Sequence, residues 1–261
     1  MDVATFLKVL SKSTAEIIIV DGVSPESFSK IRRSKEVSTC DLHMASYDKD
    51  SEQLVIRMPT VKHEMLHRLL DEAIHMDSVA IGLLTEFVSV GSATYSDVNH
   101  RGDVLWHLEG DSKRRPTSSR GRKDFPTFVI EAGICQSWGS LAAKARLWFK
   151  KSNCGVRIVV LVKIIDGSNT IKIEKWKPNA RSQGMANLGA CVQKIRIPQI
   201  PGSNPYSPAS YEVVGGDLRL EFDDVMLRQS ASAERDIVVN EARLREYAAR
   251  FWMRMSDCQN R

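Results

Sequence analysis

The sequence predicts an α/β protein in which a mixed central β-sheet is flanked by helices. Short apolar segments of strand length alternate along the chain with segments whose apolar residues recur at helical spacing. Between residues 128 and 176, the order strand, helix, strand, turn, strand predicts a sheet that combines parallel and antiparallel neighbours. The composition, 43% hydrophobic and 26% charged over 261 residues, is that of a globular protein and not of a disordered chain.

The N-terminal part of the chain is predicted to form two strands and two helices. The apolar runs at 17–20 and 53–57 have strand length, and the helix expected over 61–76 stacks apolar residues at i+4. Capping chemistry marks the helix starts, because a hydroxyl oxygen can accept from the first free N–H groups and proline is tolerated at the first helical position. The residues that mark the starts of the two helices are Ser24, Pro25, Pro59 and Thr60.

The middle of the chain has the most regular pattern. The predicted elements are strands over 128–131, 156–165 and 170–176 and, between the first two, a helix over 141–151. Ser140 is the expected N-cap of that helix, and Asp166 with Gly167 has the chemistry of the turn that joins the last two strands.

The region after these strands is predicted to be irregular. Residues 177–216 hold five of the nine prolines, which indicates a long Pro-rich insertion before a strand over 218–222 and a closing helix over 240–255. The predicted organisation is a single domain over 1–261, with a core at about 50–255 and an N-terminal strand-helix decoration over 1–50.

Charge and cysteine usage narrow the class of protein. With 37 Lys and Arg against 32 Asp and Glu, the chain carries a net charge of +5, which weakly favours a polyanionic partner. The five cysteines form no CxxC pair and are typical of reduced thiols inside the cell. No apolar run approaches the roughly 18 residues that span a membrane, and no signal peptide is recognisable. We therefore expect an intracellular protein of the cytoplasm or nucleus that is not embedded in a membrane.

The predicted helix over 61–76 begins with the pattern HExxH, as HEMLH at 63–67. At this spacing both imidazoles leave one face of a helix and can hold zinc, with the glutamate as general base. A zinc peptidase also needs a third ligand, and Leu70 and Ala73 stand where the extended pattern has glycine and histidine. The alternative is a surface helix with an ion pair between Glu64 and Arg68.

Two acids are separated by a basic segment. Asp111 lies in the run LEGDSKRRP, and Glu131 ends the predicted strand in FPTFVIE. Two carboxylates on adjacent strands can coordinate Mg²⁺ or Mn²⁺, and the metal can then activate water against a phosphodiester. The basic segment is expected to hold a phosphate backbone, although a charge run with Ser, Gly and Pro is also typical of a solvated loop. Its basic residues are Lys113, Arg114, Arg115, Arg120, Arg122 and Lys123.

Several segments of the chain resemble the fungal branch of the PD-(D/E)XK superfamily. These are MPTVKHE (58–64), VGSATYSD (90–97), GDSKRRP (110–116) and PTFVIEAGICQSWGSLAAKARLWF (126–149), with VRIVVLVKI and TIKIEKW continuing the same pattern. The resemblance covers roughly residues 50–255. It implies a restriction-endonuclease-like fold and a nuclease that depends on Mg²⁺ or Mn²⁺.

The resemblance also implies roles for individual acids. By position, Asp111 is the first acid of the motif and Glu131 the second, and both are expected to be catalytic and to bind the metal. Glu64 resembles the additional acid that many members contribute from the helix before the sheet. The implied metal ligands are thus Glu64, Asp111 and Glu131.

The chain departs from the family pattern at the lysine of E-x-K, because Gly133 stands at that position. Some families move this lysine to the following helix, and Lys144 is the expected substitute. It stands at i+3 from Leu141 and i−4 from Trp148, on the face that should pack on the sheet. Gln136 is the second choice.

The expected function is a Mg²⁺- or Mn²⁺-dependent nuclease with a nucleic-acid partner, DNA being favoured over RNA. The absent lysine keeps open an alternative, a degenerate nuclease fold that binds nucleic acid or protein without cleaving it. The HExxH pattern keeps open a zinc metalloprotease. Oligomeric state and sequence preference do not follow from the residues.

Overall fold

The computed structural model of the chain describes residues 2–11, 17–40, 42–58, 60–91, 93–165, 168–179 and 188–259. The helices are α1 (Val3–Ser11), α2 (Pro25–Arg33), α3 (Lys35–Ser38), α4 (Val61–Ala80), α5 (Trp138–Lys151), α6 (Phe222–Met226) and α7 (Glu241–Gln259). The strands are β1 (Ile17–Val20), β2 (His43–Asp48), β3 (Gln53–Arg57), β4 (Phe87–Ser89), β5 (Tyr95–Val98), β6 (Val104–Leu108), β7 (Ser112–Pro116), β8 (Phe128–Gly133), β9 (Ile158–Ile165), β10 (Thr170–Pro178), β11 (Gly189–Pro198), β12 (Leu218–Leu220) and β13 (Ile237–Val239). None of the helices in these ranges is long and apolar enough to cross a membrane. Pro59, the turn at Asp166 and Gly167, and residues 180–187 of the expected insertion lie outside the described residues.

The chain divides into two compact units. The first comprises Met1–Thr60 and Ser92–Gly110, and the second comprises Val61–Gly91 and Asp111–Arg261. The first unit takes in more of the chain than the predicted decoration over 1–50, because β3, β5 and β6 join the same sheet as β1 and β2.

The first unit is built on an antiparallel sheet in the order β1-β3-β2-β6-β5. Its core contains Phe6 of α1 and Phe28 of α2, and the Phe28 ring stacks on Tyr47 of β2 at 4.2 Å. The helix α2 begins as predicted, since the side chain of Ser24 accepts from the N–H of Ser27 at 3.2 Å and Pro25 occupies the first turn.

The second unit contains a mixed six-stranded sheet in the order β11-β10-β9-β8-β7-β4. β8 and β9 are parallel, and the other neighbours are antiparallel. The helix α5 connects the parallel pair, because parallel strands require a crossover connection. The predicted α/β class, with helices flanking a mixed sheet, is confirmed.

The two faces of β8 meet different helices. Successive side chains of a strand point to opposite faces of its sheet. Ile130 and Ala132 belong to the apolar cluster that includes residues of α4 and α7. Glu131 and Gly133 face α5 instead: Glu131 contacts Lys144, and a Cβ on Gly133 would meet Leu141. The acid of β8 is therefore held between the sheet and α5.

Two sequence predictions about boundaries are wrong. Residues 189–198 of the expected irregular insertion form β11, which pairs along β10. Prolines stand at the last positions of these strands, Pro178 and Pro198, where they end a strand without breaking its ladder. The helix α5 begins at Trp138 and not at residue 141, because the side chain of Ser137, and not that of Ser140, accepts the capping hydrogen bond.

Candidate functional site

The predicted acids of the second unit meet at the open end of the β7–β8 hairpin. Antiparallel pairing places Ser112 opposite Ile130, so Asp111, just before β7, lies near Glu131, just after Ile130. The first turns of α4 bring His63 and His67 to the same place. Residues that are 20 positions or more apart in sequence are thus brought together by the hairpin register and by the packing of α4.

The two histidines converge with Asp111. One ligand atom from each of His63, His67 and Asp111 lies within 4.8 Å of the other two, and no other group of three such donors meets this distance within the described ranges. His63 Nε2 lies 3.3 Å from Asp111 Oδ2, and the imidazole rings are 5.5 Å apart between centroids. The side chains are enclosed: both imidazoles are 4% exposed and the Asp111 carboxylate is fully buried. This donor set is suited to a metal ion.

The two ring nitrogens of His67 have different surroundings: one is hydrogen-bonded and orients the ring, and the other makes no hydrogen bond with the described residues. Its Nδ1 is hydrogen-bonded to the hydroxyl of Ser112 at 2.9 Å. Its Nε2 is buried and makes no hydrogen bond with any described residue, although it lies 3.5 Å from Glu64 Oε2. An oriented imidazole with one nitrogen left over is the arrangement that metal-ligating histidines adopt.

Glu64 lies beside both imidazoles. Its carboxylate oxygens are 3.9 Å from His63 Nδ1 and 3.5 Å from His67 Nε2, and Arg68 Nε lies 3.0 Å away. The interaction with His63, followed by that with His67, holds the pKa of Glu64 well below its usual range, and Arg68 acts in the same direction. Glu64 is therefore ionised, and with a quarter of its side chain exposed it is the most accessible acid of the group.

Glu131 is held by two residues of α5. Lys144 Nζ lies 2.7 Å from Glu131 Oε2, and the indole N–H of Trp148 donates to Glu131 Oε1 at 2.6 Å. Burial raises the pKa of the Glu131 carboxyl, and the charge of Asp111 raises it further, while Lys144 and Trp148 act in the opposite direction. The ammonium group of Lys144 thus contacts Glu131, the second acid of the predicted motif.

Asp111 connects the histidines with the acid of β8. Its Oδ2 accepts the backbone N–H of Ala132 at 2.6 Å, and the carbonyl of the same residue lies 3.2 Å from His63 Nε2. Asp111 therefore contacts His63 directly and acts on Glu131 through its charge.

Packing explains why a lysine is absent from position 133. A Cβ at Gly133 would lie 2.7 Å from Leu141 Cδ1, closer than real Cβ contacts occur, so any larger side chain there would displace α5. Because α5 lies so close to β8, Lys144 of the next helical turn reaches Glu131.

Gln136 enters this region through its backbone. Its carbonyl and that of Ile134 accept hydrogen bonds from Lys163 Nζ, which anchors the loop between β8 and α5. Lys163 pairs with Gly133 in the parallel register of β8 and β9. Lys163, which lies opposite Gly133 in the sheet, thus holds the loop between β8 and α5 in place.

Lys113 and Arg114, which are predicted to bind nucleic acid, do not lie on the surface of the protein. Both lie in β7 and are buried, with 1% and 4% of their surface exposed. Arg114 makes a two-point ion pair with Asp71, with Nε to Oδ1 at 2.7 Å and Nη2 to Oδ2 at 3.0 Å. The first part of the basic segment is therefore the strand β7 and not a solvated loop.

The other basic residues of the segment lie away from the acids. Arg115 and Arg120 are half-buried and donate to the backbone carbonyls of Arg120 and Gly155. Arg122 and Lys123 are exposed in the 117–127 connection, at the opposite end of the hairpin from Asp111 and Glu131. The expectation that this segment holds phosphate at the acids does not fit that geometry.

Three contributors to this site were not predicted. Trp148, whose spacing in the sequence serves only to locate the face of α5 that carries Lys144, donates its indole N–H to Glu131. The other two contributors are Ser112, which orients His67, and Asp111 as a partner of His63. Neither contact can be predicted from local sequence, because each joins residues that are at least 45 positions apart. The observed donor group shares Asp111 with the predicted carboxylate set but has two imidazoles in place of Glu64 and Glu131.

No protein-family description and no curated protein sequence matches this chain.

Proposed function

We propose that this protein is a divalent-metal-dependent nuclease with a restriction-endonuclease-like fold. The observation that carries the proposal is the 2.7 Å contact between Lys144 Nζ and Glu131 Oε2, beside the carboxylate of Asp111. The resemblance implies two acids and a lysine in this place, with the lysine moved to the helix after the second acid. The start of β7, the end of β8 and α5 provide these three groups.

The acids fit a divalent cation. The charge of Asp111 raises the pKa of Glu131, which means that two like charges repel each other in a buried place. A cation held by Asp111 and Glu131 would offset that repulsion through the hard oxygen ligands that Mg²⁺ and Mn²⁺ prefer. When bound, the ion would supply activation of water and stabilisation of the charge on a phosphodiester.

The residues of the chain would position the groups that react. Trp148 fixes one oxygen of Glu131 and Lys144 contacts the other, so the carboxylate cannot rotate freely. Lys144 is 10% exposed, so its ammonium acts where little water screens it. It would stabilise the negative charge that develops on the phosphate in the transition state.

Arg68 offers an exposed cation next to Glu64. Its side chain is 67% exposed, and its Nε contacts the ionised Glu64 at 3.0 Å. The rest of its guanidinium faces solvent on α4 and would guide a polyanion toward the acids. This assignment replaces the hairpin residues that lie at the far end of β7 and β8.

The test is the nicking of supercoiled plasmid by the purified full chain in Mn²⁺ or Mg²⁺, with a chelator as background. We expect Glu131→Gln to reduce nicking to the chelator background, since the neutral amide keeps the shape of the acid but lacks the negative charge that holds a divalent cation. Glu212→Gln, which changes an exposed glutamate of the same unit, is the matched control and should nick at the wild-type rate.

Two results would overturn the proposal. One is metal-dependent nicking that Glu131→Gln leaves unchanged while circular dichroism shows the variant folded. The other is the absence of cleavage of plasmid, linear duplex, single-stranded DNA and RNA by the folded wild-type chain. Salt-dependent binding of these nucleic acids without cleavage would instead support the degenerate fold.

A second candidate is a zinc metalloprotease, which the convergence of His63 and His67 with Asp111 favours. Asp111 would be the third ligand that HExxH requires, and Glu64 would be the general base. This candidate predicts hydrolysis of an unfolded protein substrate that is lost in Glu64→Gln. Proteolysis by the wild-type chain that survives in Glu64→Gln, or no proteolysis at all, would exclude it.

A further inference from the structure

The donor group on α4 differs in chemistry from the carboxylate site of the proposed nuclease. Two of its three donors are imidazole nitrogens, and the third is the buried carboxylate of Asp111. Imidazole suits Zn²⁺, Cu²⁺, Ni²⁺ and Fe²⁺, whereas Mg²⁺ takes oxygen ligands and keeps several waters. Two imidazoles and one carboxylate therefore favour a transition-metal ion over Mg²⁺.

We propose that His63, His67 and Asp111 form a binding site for a divalent transition-metal ion of the Zn²⁺ or Co²⁺ kind, in preference to Mg²⁺. The proposal deepens the proposed function, on which it rests for the role of Asp111, because it names the class of ion for that part of the site. The distances among the three donor atoms, all within 4.8 Å, are those of ligands that a single ion can draw together.

The buried nitrogen of His67 is an independent observation that points to a ligand. Its Nε2 makes no hydrogen bond with any residue that the structure describes, and the side chain is 4% exposed. The atom that it faces is Glu64 Oε2 at 3.5 Å, which is an ion-pair distance and not a hydrogen bond, so this buried nitrogen is poorly satisfied and a closer partner would stabilise it. A metal ion accepts the lone pair of a neutral imidazole and would be that partner.

Ser112 is a positioning residue for this site. Its hydroxyl contacts His67 Nδ1 at 2.9 Å, which fixes the ring and leaves Nε2 to the metal. Partners of this kind orient a ligating histidine and raise its basicity. Ser112 stands next to Asp111 in the chain, so β7 carries both a ligand and the group that orients another ligand.

The charge around the donors suits a divalent cation. The Glu64 carboxylate lies within 4 Å of both imidazoles, and Asp111 is the carboxylate ligand of the group itself. Lys144, the buried cation nearby, is paired with Glu131 on the other face of β8. An added ion would therefore meet two carboxylates and two imidazoles.

The test is a titration of the chelator-treated full chain with Co²⁺, followed through its visible d–d absorption, which reports nitrogen and carboxylate coordination directly. We expect a spectrum that saturates with a single ion, is abolished by Zn²⁺ and is unaffected by Mg²⁺. Asp111→Asn, which keeps an oxygen to accept the Ala132 N–H, and His67→Gln should both lose it. His100→Gln, an exposed histidine of the first unit, is the matched control and should bind as wild type does.

The variant Ser112→Ala tests whether Ser112 only positions His67 or is itself required for the metal to bind. Both imidazoles and Asp111 remain in this variant, so we expect the Co²⁺ spectrum to persist with about tenfold weaker affinity. If His67→Gln fails to fold, Ser112→Ala and Asp111→Asn decide the question. Wild-type protein without a Co²⁺ spectrum, or variants at residues 67, 111 and 112 that bind as tightly as wild type, would overturn the proposal.

These outcomes are distinguishable from failure of the nuclease. Mg²⁺-supported nicking that requires Glu131, in a chain that binds no Co²⁺, would keep the nuclease and refute the transition-metal site. A Co²⁺ site that depends on His67, in a chain that cleaves no nucleic acid, would keep the site and refute the nuclease.

Discussion

The two halves of α4 hold their charges in different ways. In the C-terminal half, Asp71 and Asp77 each face one arginine through two contacts of 2.7 to 3.0 Å, from Arg114 and Arg235. In the N-terminal half, Glu64 lies against two imidazoles. A bidentate guanidinium pair satisfies a carboxylate in a fixed geometry, whereas an imidazole is itself a metal ligand. The C-terminal half of α4 thus holds its carboxylates in bidentate ion pairs, and the N-terminal half holds its carboxylate beside potential metal ligands.

The largest expected effect lies in the structural half. Arg114→Ala leaves Asp71 partly buried without its cation, and should lower the free energy of unfolding by about 3 kcal/mol, the low end for a broken buried pair, since Asp71 is 18% exposed. Urea denaturation with linear extrapolation measures this. Arg250→Ala is the matched control, because its pair with Glu72 of the same helix is exposed and should cost less than about 1 kcal/mol. Equal costs for both variants would contradict the contrast drawn for α4.

The next largest expected effect is a lower rate of the proposed nuclease reaction. Lys144→Met keeps the buried stem but removes the ammonium from Glu131, and should lower the nicking rate about 100-fold, the size of effect expected for one lost charge-stabilising group. The fold should survive, because burial already raises the pKa of Glu131 and the acid can take up a proton. Lys194→Met, at an exposed site on β11, is the control. An unchanged rate would assign Lys144 to packing alone.

The smallest effect depends on pH. Burial acts to raise the pKa of Asp77, but hydrogen bonds from Arg235 and from the Val238 N–H outweigh it and hold the pKa below its ordinary value. A lowered carboxyl pKa contributes stability that is present above the unfolded pKa, about 3.9, and is lost as the pH falls through the folded value. Asp77→Asn should therefore cost about 1–2 kcal/mol near neutral pH.

The measurement for Asp77 is the unfolding free energy of the wild type and Asp77→Asn at neutral and at acid pH. The difference between them should shrink below about pH 4, where the wild-type acid becomes protonated. Asp97→Asn, an exposed acid of the first unit, should show little difference at either pH. A difference for Asp77→Asn that stays constant with pH would refute the ion-pair origin of the effect.

The central strands were predictable because local patterns determine them. β1 and β3 begin and end where the sequence places them, and the run from β8 through α5 and β9 to β10 has the predicted order. Buried strands here are nearly continuous apolar runs, so their signal survives without knowledge of their neighbours. β11 escaped prediction because exposed residues alternate along it, so it has no continuous apolar run, and because it lies in a proline-rich stretch.

The site was predictable only in part. Lys144 was assigned from its position on one face of α5, and its contact with Glu131 follows from the same helical geometry. The burial of Lys113 and Arg114 in β7 was not predictable, because a run of charges does not reveal which of them will find buried partners. Spacing likewise identified the HExxH pair but not its third donor.

Periodicity and turn chemistry along the chain were sufficient for the α/β class and for most helices and strands, since these depend on contacts between near neighbours. Which polar groups meet is a property of packing over long distances. The register of β7 with β8 sets Asp111 beside Glu131, and the seating of α4 sets His63 against Asp111, 48 residues further along the chain. The closeness of α5 to Gly133 leaves no room for a larger side chain there and brings Lys144 to Glu131. Such distances are decided by the volumes of buried side chains, which no spacing in the sequence encodes.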